Sequence, residues 1–195
     1  MAFSRYEDFL NCLKTASIDS SLEEPQKRWK DSLRAELGDG CEVFMPSMPN
    51  KQNAKYEEWK LWFERHLPSL RDGVILVGHS QGGYFLVKYL CENTLPVRVR
   101  ALMLVAAPFE PADFGGEDGG DFNFDAKELP RLEEQVREIV IFHSKDDEAV
   151  SFSHALKYQK AIPSITLVPF EDRGHFLDET FLELVGYIRA TAAQS

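Results

Sequence analysis

From residue 41 onward, short continuous apolar runs alternate with segments whose apolar positions recur at helical spacing. The runs are "CEVFM" (41–45), "VILVG" (74–78), "VRALMLVA" (99–106), "EIVIFH" (138–143) and "ITLVPF" (165–170). Continuous rather than alternating hydrophobicity predicts strands covered on both faces. Between them, residues 21–37 read as a helix with Ser21 at its N-cap, Glu24 three positions on, and Gly38 at its end. Residues 53–67 bring Tyr56, Trp59 and Phe63 to one helical face, and residues 82–93, 151–162 and 178–194 are helix-like too. Strand and helix in alternation predict βα units and a mainly parallel sheet between helical layers. The expectation is one α/β domain over residues 1–195, a three-layer sandwich with five strands. Ligand sites on such sheets lie at the carboxyl ends of the strands. One stretch breaks the alternation: residues 108–130, rich in Gly, Asp and Phe, form a lid-like loop too long for a plain connection.

Composition narrows the class. A chain of 195 residues fits one domain, and 44% hydrophobic residues with 14 Phe can fill a core. The net charge of −10 argues against nucleic acid and against anionic membrane surfaces. Cys12, Cys41 and Cys91 are far apart and lack metal-ligand spacing, so no metal is expected and a reducing, cytoplasmic setting is. The N-terminus lacks the basic and apolar regions of a signal peptide, and no apolar run is long enough to span a bilayer as a helix.

The chemistry begins at "GHSQGG", residues 78–83, where a predicted strand gives way to a predicted helix. Gly78-His79-Ser80-Gln81-Gly82 fits G-x-S-x-G. A serine there sits on a strained turn with its hydroxyl lifted clear of the sheet, while Gly78 and Gly82 let helix and strand approach. The N–H of Gln81, at the helix start, can face a developing oxyanion. A serine hydroxyl needs a base, and the base an orienting acid. Downstream, Asp146 and Asp147 follow the run ending at His143, and His175 follows the run ending at Phe170. The order serine, acid, histidine matches that of hydrolases with this turn. His79 reads as scaffold, His143 as support for the acid loop, and His66 and His154 as packing or surface residues.

Together, "RWKDSLRAEL", "EVFMPSMPNKQNAKYEEW", "VILVGHSQGG", "ALMLVAAPF", "HSKDDEAVSF" and "EDRGHF" carry a resemblance over residues 22–188. The chain resembles the small single-domain serine hydrolases of the α/β-hydrolase superfamily, the group that includes the retinoblastoma-binding serine hydrolase and its bacterial relatives. The resemblance implies a Ser–Asp–His triad without a cofactor, with Ser80 as nucleophile and His175 as base. It favours Asp147 as the acid, since Glu148, Ala149 and Val150 follow in the family's pattern; Asp146 is the alternative. The chain departs from the family at its start. Relatives open with an apolar strand beside the nucleophile strand, whose Gly-rich turn provides a second oxyanion N–H. Here "MAFSRYEDFL" is already helix-like, so an upstream start or a shortened chain is expected; true loss of the strand is the alternative.

The expected activity is hydrolysis of a small acyl ester through an acyl-enzyme, with a small-molecule acyl substrate as the partner. Phe109, Phe114, Phe122 and Phe124 are placed in an acyl pocket, with packing of the loop as their other role. The rival readings are a peptidase or acyltransferase with the same triad, and a catalytically impaired scaffold for protein interaction. For the last, the nearest match to the retinoblastoma-pocket motif L-x-C-x-E is Leu10 to Lys14, with Lys14 where Glu belongs.

Overall fold

The computed structural model describes residues 2–15, 27–111 and 118–194. Four of the five apolar runs form one sheet: β1 (Val74–His79), β2 (Val99–Val105), β3 (Val136–Ser144) and β4 (Thr166–Phe170). All three ladders are parallel, and the spatial order is the chain order, β1-β2-β3-β4. The helices are α1 (Tyr6–Thr15), α2 (Trp29–Leu37), α3 (Tyr56–Glu64), α4 (Gln81–Glu92), α5 (Pro130–Gln135), α6 (Ser153–Ala161) and α7 (Leu182–Ala192).

Parallel crossovers are right-handed. When each strand is laid down on the same side of the last, the connecting helices must share one face of the sheet. Accordingly, α4, α5 and α6 join α3 in one apolar cluster, built on Leu76, Leu102, Leu104, Ile139 and Ile141. Helices α2 and α7, before β1 and after β4, cover the other face through Trp29, Leu33, Leu184, Val185 and Ile188, packed on Met103, Val105, Val140 and Phe142. The result is the expected three layers. Helix α4 is buried from Gly83 to Cys91, which is why its sequence is apolar nearly all round.

The run at 41–45 is not a strand, so the sheet has four strands rather than five among the described residues. Cys41 is extended at φ −140° and ψ 130°. No neighbouring backbone meets this segment, however; the carbonyl of Val43 accepts from Arg34 Nη2 at 2.8 Å instead. Apolar, β-branched composition favours an extended backbone, but a strand also needs a partner ladder. Among the described residues β1 is one of the two edge strands. Backbone groups alternate sides along a strand, and the Ser80 N–H donates to Val105 O, so those of Ile75, Val77 and His79 point away from β2. The proposed cap Ser21 lies outside the described residues. Helix α2 starts at Trp29 behind Arg28, whose N–H donates to the Asp31 carboxylate at 2.8 Å.

The 108–130 segment is fastened over its described second half. The Asp121 carboxylate accepts from Tyr56 N at 2.9 Å, and the Asn123 carbonyl from Lys88 Nζ at 2.8 Å. A short 3₁₀ turn, Ala126–Glu128, then leads into α5. Phe122 is fully buried, with ring contacts to Tyr56, Trp59 and Phe85. Replacing Phe122 by Ala is therefore expected to cost about 3–5 kcal/mol in urea denaturation, as for a core phenylalanine; a loop ring resting on the surface would cost far less.

Candidate active site

Ser80 ends β1 and caps α4 at φ 52° and ψ −125°, a left-handed conformation that strains a residue with a side chain. What permits the turn is the absence of two side chains. A Cβ on Gly78 would lie 2.6 Å from Gly83 Cα, and one on Gly83 would lie 2.6 Å from Ala107 Cβ. Gly82, expected to be essential for close approach, has nothing within 4 Å of its Cβ position. The second glycine of the Gly-Gly pair does that work. The Ser80 carbonyl accepts from Gly83 N and Tyr84 N, which leaves the Gln81 N–H at the helix start without a backbone partner.

The acid and base come from the same rim. The loop after β3 carries Asp146 and Asp147, and the loop after β4 carries His175. His175 Nδ1 lies 2.9 Å from Asp147 Oδ2 and 3.1 Å from Oδ1. The other bonds to Asp147 Oδ1 come from the N–H groups of Ala149 and Val150, both at 2.9 Å. Asp147 is buried. A buried carboxylate that accepts from Nδ1–H fixes the tautomer and leaves Nε2 as the basic nitrogen.

Asp146 faces elsewhere. It accepts from the Ser144 hydroxyl and, at 2.9 Å, from Gly174 N, and the Ser144 bond leads in holding its carboxyl below the usual range. Ser144 in turn accepts from Arg173 N at 2.8 Å. The paired aspartates thus divide: Asp147 binds the imidazole, and Asp146 with Ser144 binds the backbone just before it. No motif in the sequence pointed to Ser144.

Ser80 comes to this pair through its neighbour. His79 Nε2 lies 2.8 Å from the His175 carbonyl, and the two rings are 5.0 Å apart. The Ser80 hydroxyl makes no hydrogen bond to the imidazole, in keeping with the looser geometry of ligand-free sites. Three histidines beside the site are held below the ordinary imidazole range, in each case chiefly by burial: His79, down to about 3, His143 and His154. His143 Nε2 bonds the Val150 carbonyl at 2.7 Å behind Asp147, and His154 Nδ1 accepts from Phe109 N at 2.9 Å.

The phenylalanines proposed for an acyl pocket pack among themselves and with the α4 layer. Phe109 and Phe124 meet each other and Tyr158, Phe124 also meets Tyr84, and Phe122 is in the core. Phe114 lies outside the described residues. Among the described residues, no helix is long and apolar enough to cross a membrane, and no group of three or more His, Cys, Asp or Glu could hold a metal.

A parallel sheet with a left-handed serine between strand and helix at its rim places the fold in the α/β-hydrolase class. The chain belongs to the serine hydrolase family, whose family model matches residues 21–184. Relatives include YdeN of Bacillus subtilis (strain 168), 26% identical over 76% of this chain and 77% of YdeN. Serine hydrolase RBBP9 of Rattus norvegicus is 24% identical over 77% of this chain and 78% of its own. The crystal structure of the ydeN gene product shares the fold, with a TM-score of 0.76 at 21% identity over 86% of this chain and 92% of that one. Est1E from Butyrivibrio proteoclasticus is more distant in fold, with a TM-score of 0.52 at 17% identity over 72% of each chain.

Two measurements follow from the site. Gly78→Ala must push backbone apart and is expected to destabilise by about 1–3 kcal/mol or more, whereas Gly82→Ala should be neutral or gain up to ~1 kcal/mol of helix propensity. Chemical denaturation of both variants separates the two glycines. Acid should also destabilise the fold: an unfolded histidine takes up its proton near pH 6.5, while His79, His143 and His154 resist protonation when folded. Stability is thus full above about pH 6.5 and falls as the pH drops below it. Replacing His154 by Gln should flatten part of that slope in a melting series from pH 8 to 4.

Proposed function

We propose that the protein hydrolyses a small carboxylic ester in two acyl-transfer steps, with Ser80, His175 and Asp147 as a catalytic triad. The reading rests on the 2.9 Å bond between His175 Nδ1 and buried Asp147, on the same rim as the strained Ser80. With Nδ1–H given to Asp147, the imidazole Nε2 is free to take the proton of Ser80 Oγ as that oxygen attacks the acyl carbonyl. The tetrahedral oxyanion forms near the start of α4, where the Gln81 N–H donates to it. Collapse breaks the ester C–O bond, and His175 returns its proton to the leaving alkoxide. Water, deprotonated by the same imidazole, then cleaves the acyl-enzyme and restores Ser80. No metal or cofactor takes part in this scheme. The three free cysteines go with the further proposal of a cytoplasmic location.

The position of β1 at the sheet edge favours a second reading, a hydrolase scaffold with low turnover that serves protein interaction. A fluorophosphonate probe separates the two. Under the hydrolase reading, the wild type labels and Ser80→Ala does not. Asp147→Asn should slow labelling by about 10³–10⁴, the loss typical when a triad acid can no longer hold the tautomer; Asp146→Asn should slow it far less. A folded wild type that resists the probe would establish the scaffold reading. A panel of p-nitrophenyl esters and matching anilides then tells esterase from peptidase.

A further inference from the structure

The loop that carries His175 is held in an unusual way. His175 stands between two residues in left-handed conformations, Gly174 at φ 47° and Phe176 at φ 53°. For a residue as large as Phe176 that conformation costs about 1–3 kcal/mol and persists only if the surroundings impose it. The surroundings are specific. Five consecutive carbonyls, from residue 175 to residue 179, are each captured by a donor from the nucleophile turn or from the start of α2.

His79 Nε2 takes the carbonyl of His175 at 2.8 Å. Trp29 takes two, Phe176 O through its indole Nε1–H at 3.1 Å and Asp178 O through its backbone N–H at 2.8 Å. Arg28 Nη1 donates to Leu177 O, and Ser32 Oγ to Glu179 O at 3.0 Å. On the other side, Ser144 and Asp146 hold the N–H groups of Arg173 and Gly174. Trp29 and His79 also touch edge to face, at 6.0 Å between ring centroids, so the two donors brace each other.

The carbonyl of buried Phe176 needs a partner of some kind, but those of exposed Leu177, Asp178 and Glu179 could have turned to water instead. What is informative is where these partners come from. His79 is the residue before Ser80, and its bond runs to the main chain of His175 itself. A single hydrogen bond therefore ties the side chain next to Ser80 to the backbone of His175. We propose that His79 and Trp29 are positioning residues that set the reach of the His175 imidazole toward Ser80 by holding the carbonyls of His175 and Phe176.

This inference rests on the triad reading. His79 acts through the backbone and touches no reacting atom. To donate to a carbonyl, its ring must carry the proton on Nε2. Burial, with the nearby Lys30 charge second, holds the ring below the ordinary imidazole range, and Nε2–H can donate whether or not Nδ1 is protonated. If the tie is lost, the strained turn at Phe176 can relax, and the imidazole swings with it. A misplacement of about 1 Å in a reacting group can cost about 10²-fold in rate.

The test compares His79→Phe, which keeps a planar ring but no donor, with His79→Gln, whose side-chain amide can replace Nε2–H. Each is read by the rate of fluorophosphonate labelling across pH, by the downfield proton resonance of His175 Nδ1–H against Asp147, and by thermal melting. The expected result is a 10- to 100-fold slower labelling of His79→Phe, with a moved or broadened downfield proton. His79→Gln should recover to within about threefold of wild type, as expected when only the donor matters. Equal loss in both variants, or wild-type rates and resonance in His79→Phe, would overturn the proposal. Should His79→Phe not fold, Trp29→Phe, which removes the indole donor together with part of a buried ring, is read in the same way, with thermal melting separating the loss of packing. If the wild type itself fails to label, the triad reading falls. The downfield proton and its response to His79→Phe still decide whether the tie positions His175.

Discussion

Two glycines touch where no side chains could. The approach of Gly78 to Gly83 lets β1 turn into α4 within one residue, and that residue is Ser80. A Cβ on Gly78 would push the start of the helix off the strand, and one on Gly83 would strike Ala107. The same turn puts His79 where its ring reaches the loop that carries His175.

The parallel sheet provides the rest of the geometry. Because the strands run the same way in chain order, the loops after β1, β3 and β4 open on one rim. The acid loop then gives its two carboxylates different work. Asp147 is buried, takes two backbone N–H bonds, and has one acceptor oxygen left for the imidazole. Asp146 is exposed and holds the backbone of Gly174. A charge in the interior needs several donors to offset the loss of water, and Asp147 has them. Behind it, His143 bonds the Val150 carbonyl, and burial holds its imidazole below the ordinary range.

Strain and restraint are matched around the site. Ser80 and Phe176 both hold positive φ. The first is imposed by the glycine contact, the second by the donors gathered from α2 and His79. Helix α2 thus has two tasks, covering one face of the sheet through Trp29 and Leu33 and bracing the histidine loop through the same Trp29. The acidic surface has no part in either, since these contacts are internal.

Four of the five strands and the main helices were legible because continuous apolar runs and helical periodicity are local properties, and because the Gly-His-Ser-Gln-Gly-Gly turn follows a run that forms a strand in almost any context. Ser80, the acid pair and His175 were legible by order along the chain. Other features were not, since each depends on what a residue meets after folding. Residues 41–45 have the composition of a strand, yet they pair with no strand among the described residues. Gly82 looked essential and Gly83 did not, although only the packing against Gly78 and Ala107 could tell them apart. Phe122 was as suited to a lid as to a core until Tyr56 and Trp59 closed over it. The sequence by itself determined which side chains are candidates for the chemistry, because residue type and strand order are written in the chain. Which aspartate faces the imidazole, and what holds the imidazole's loop, was decided only by tertiary structure, because hydrogen bonds between residues 29 and 178, or 79 and 175, exist only once the two layers have closed on the sheet.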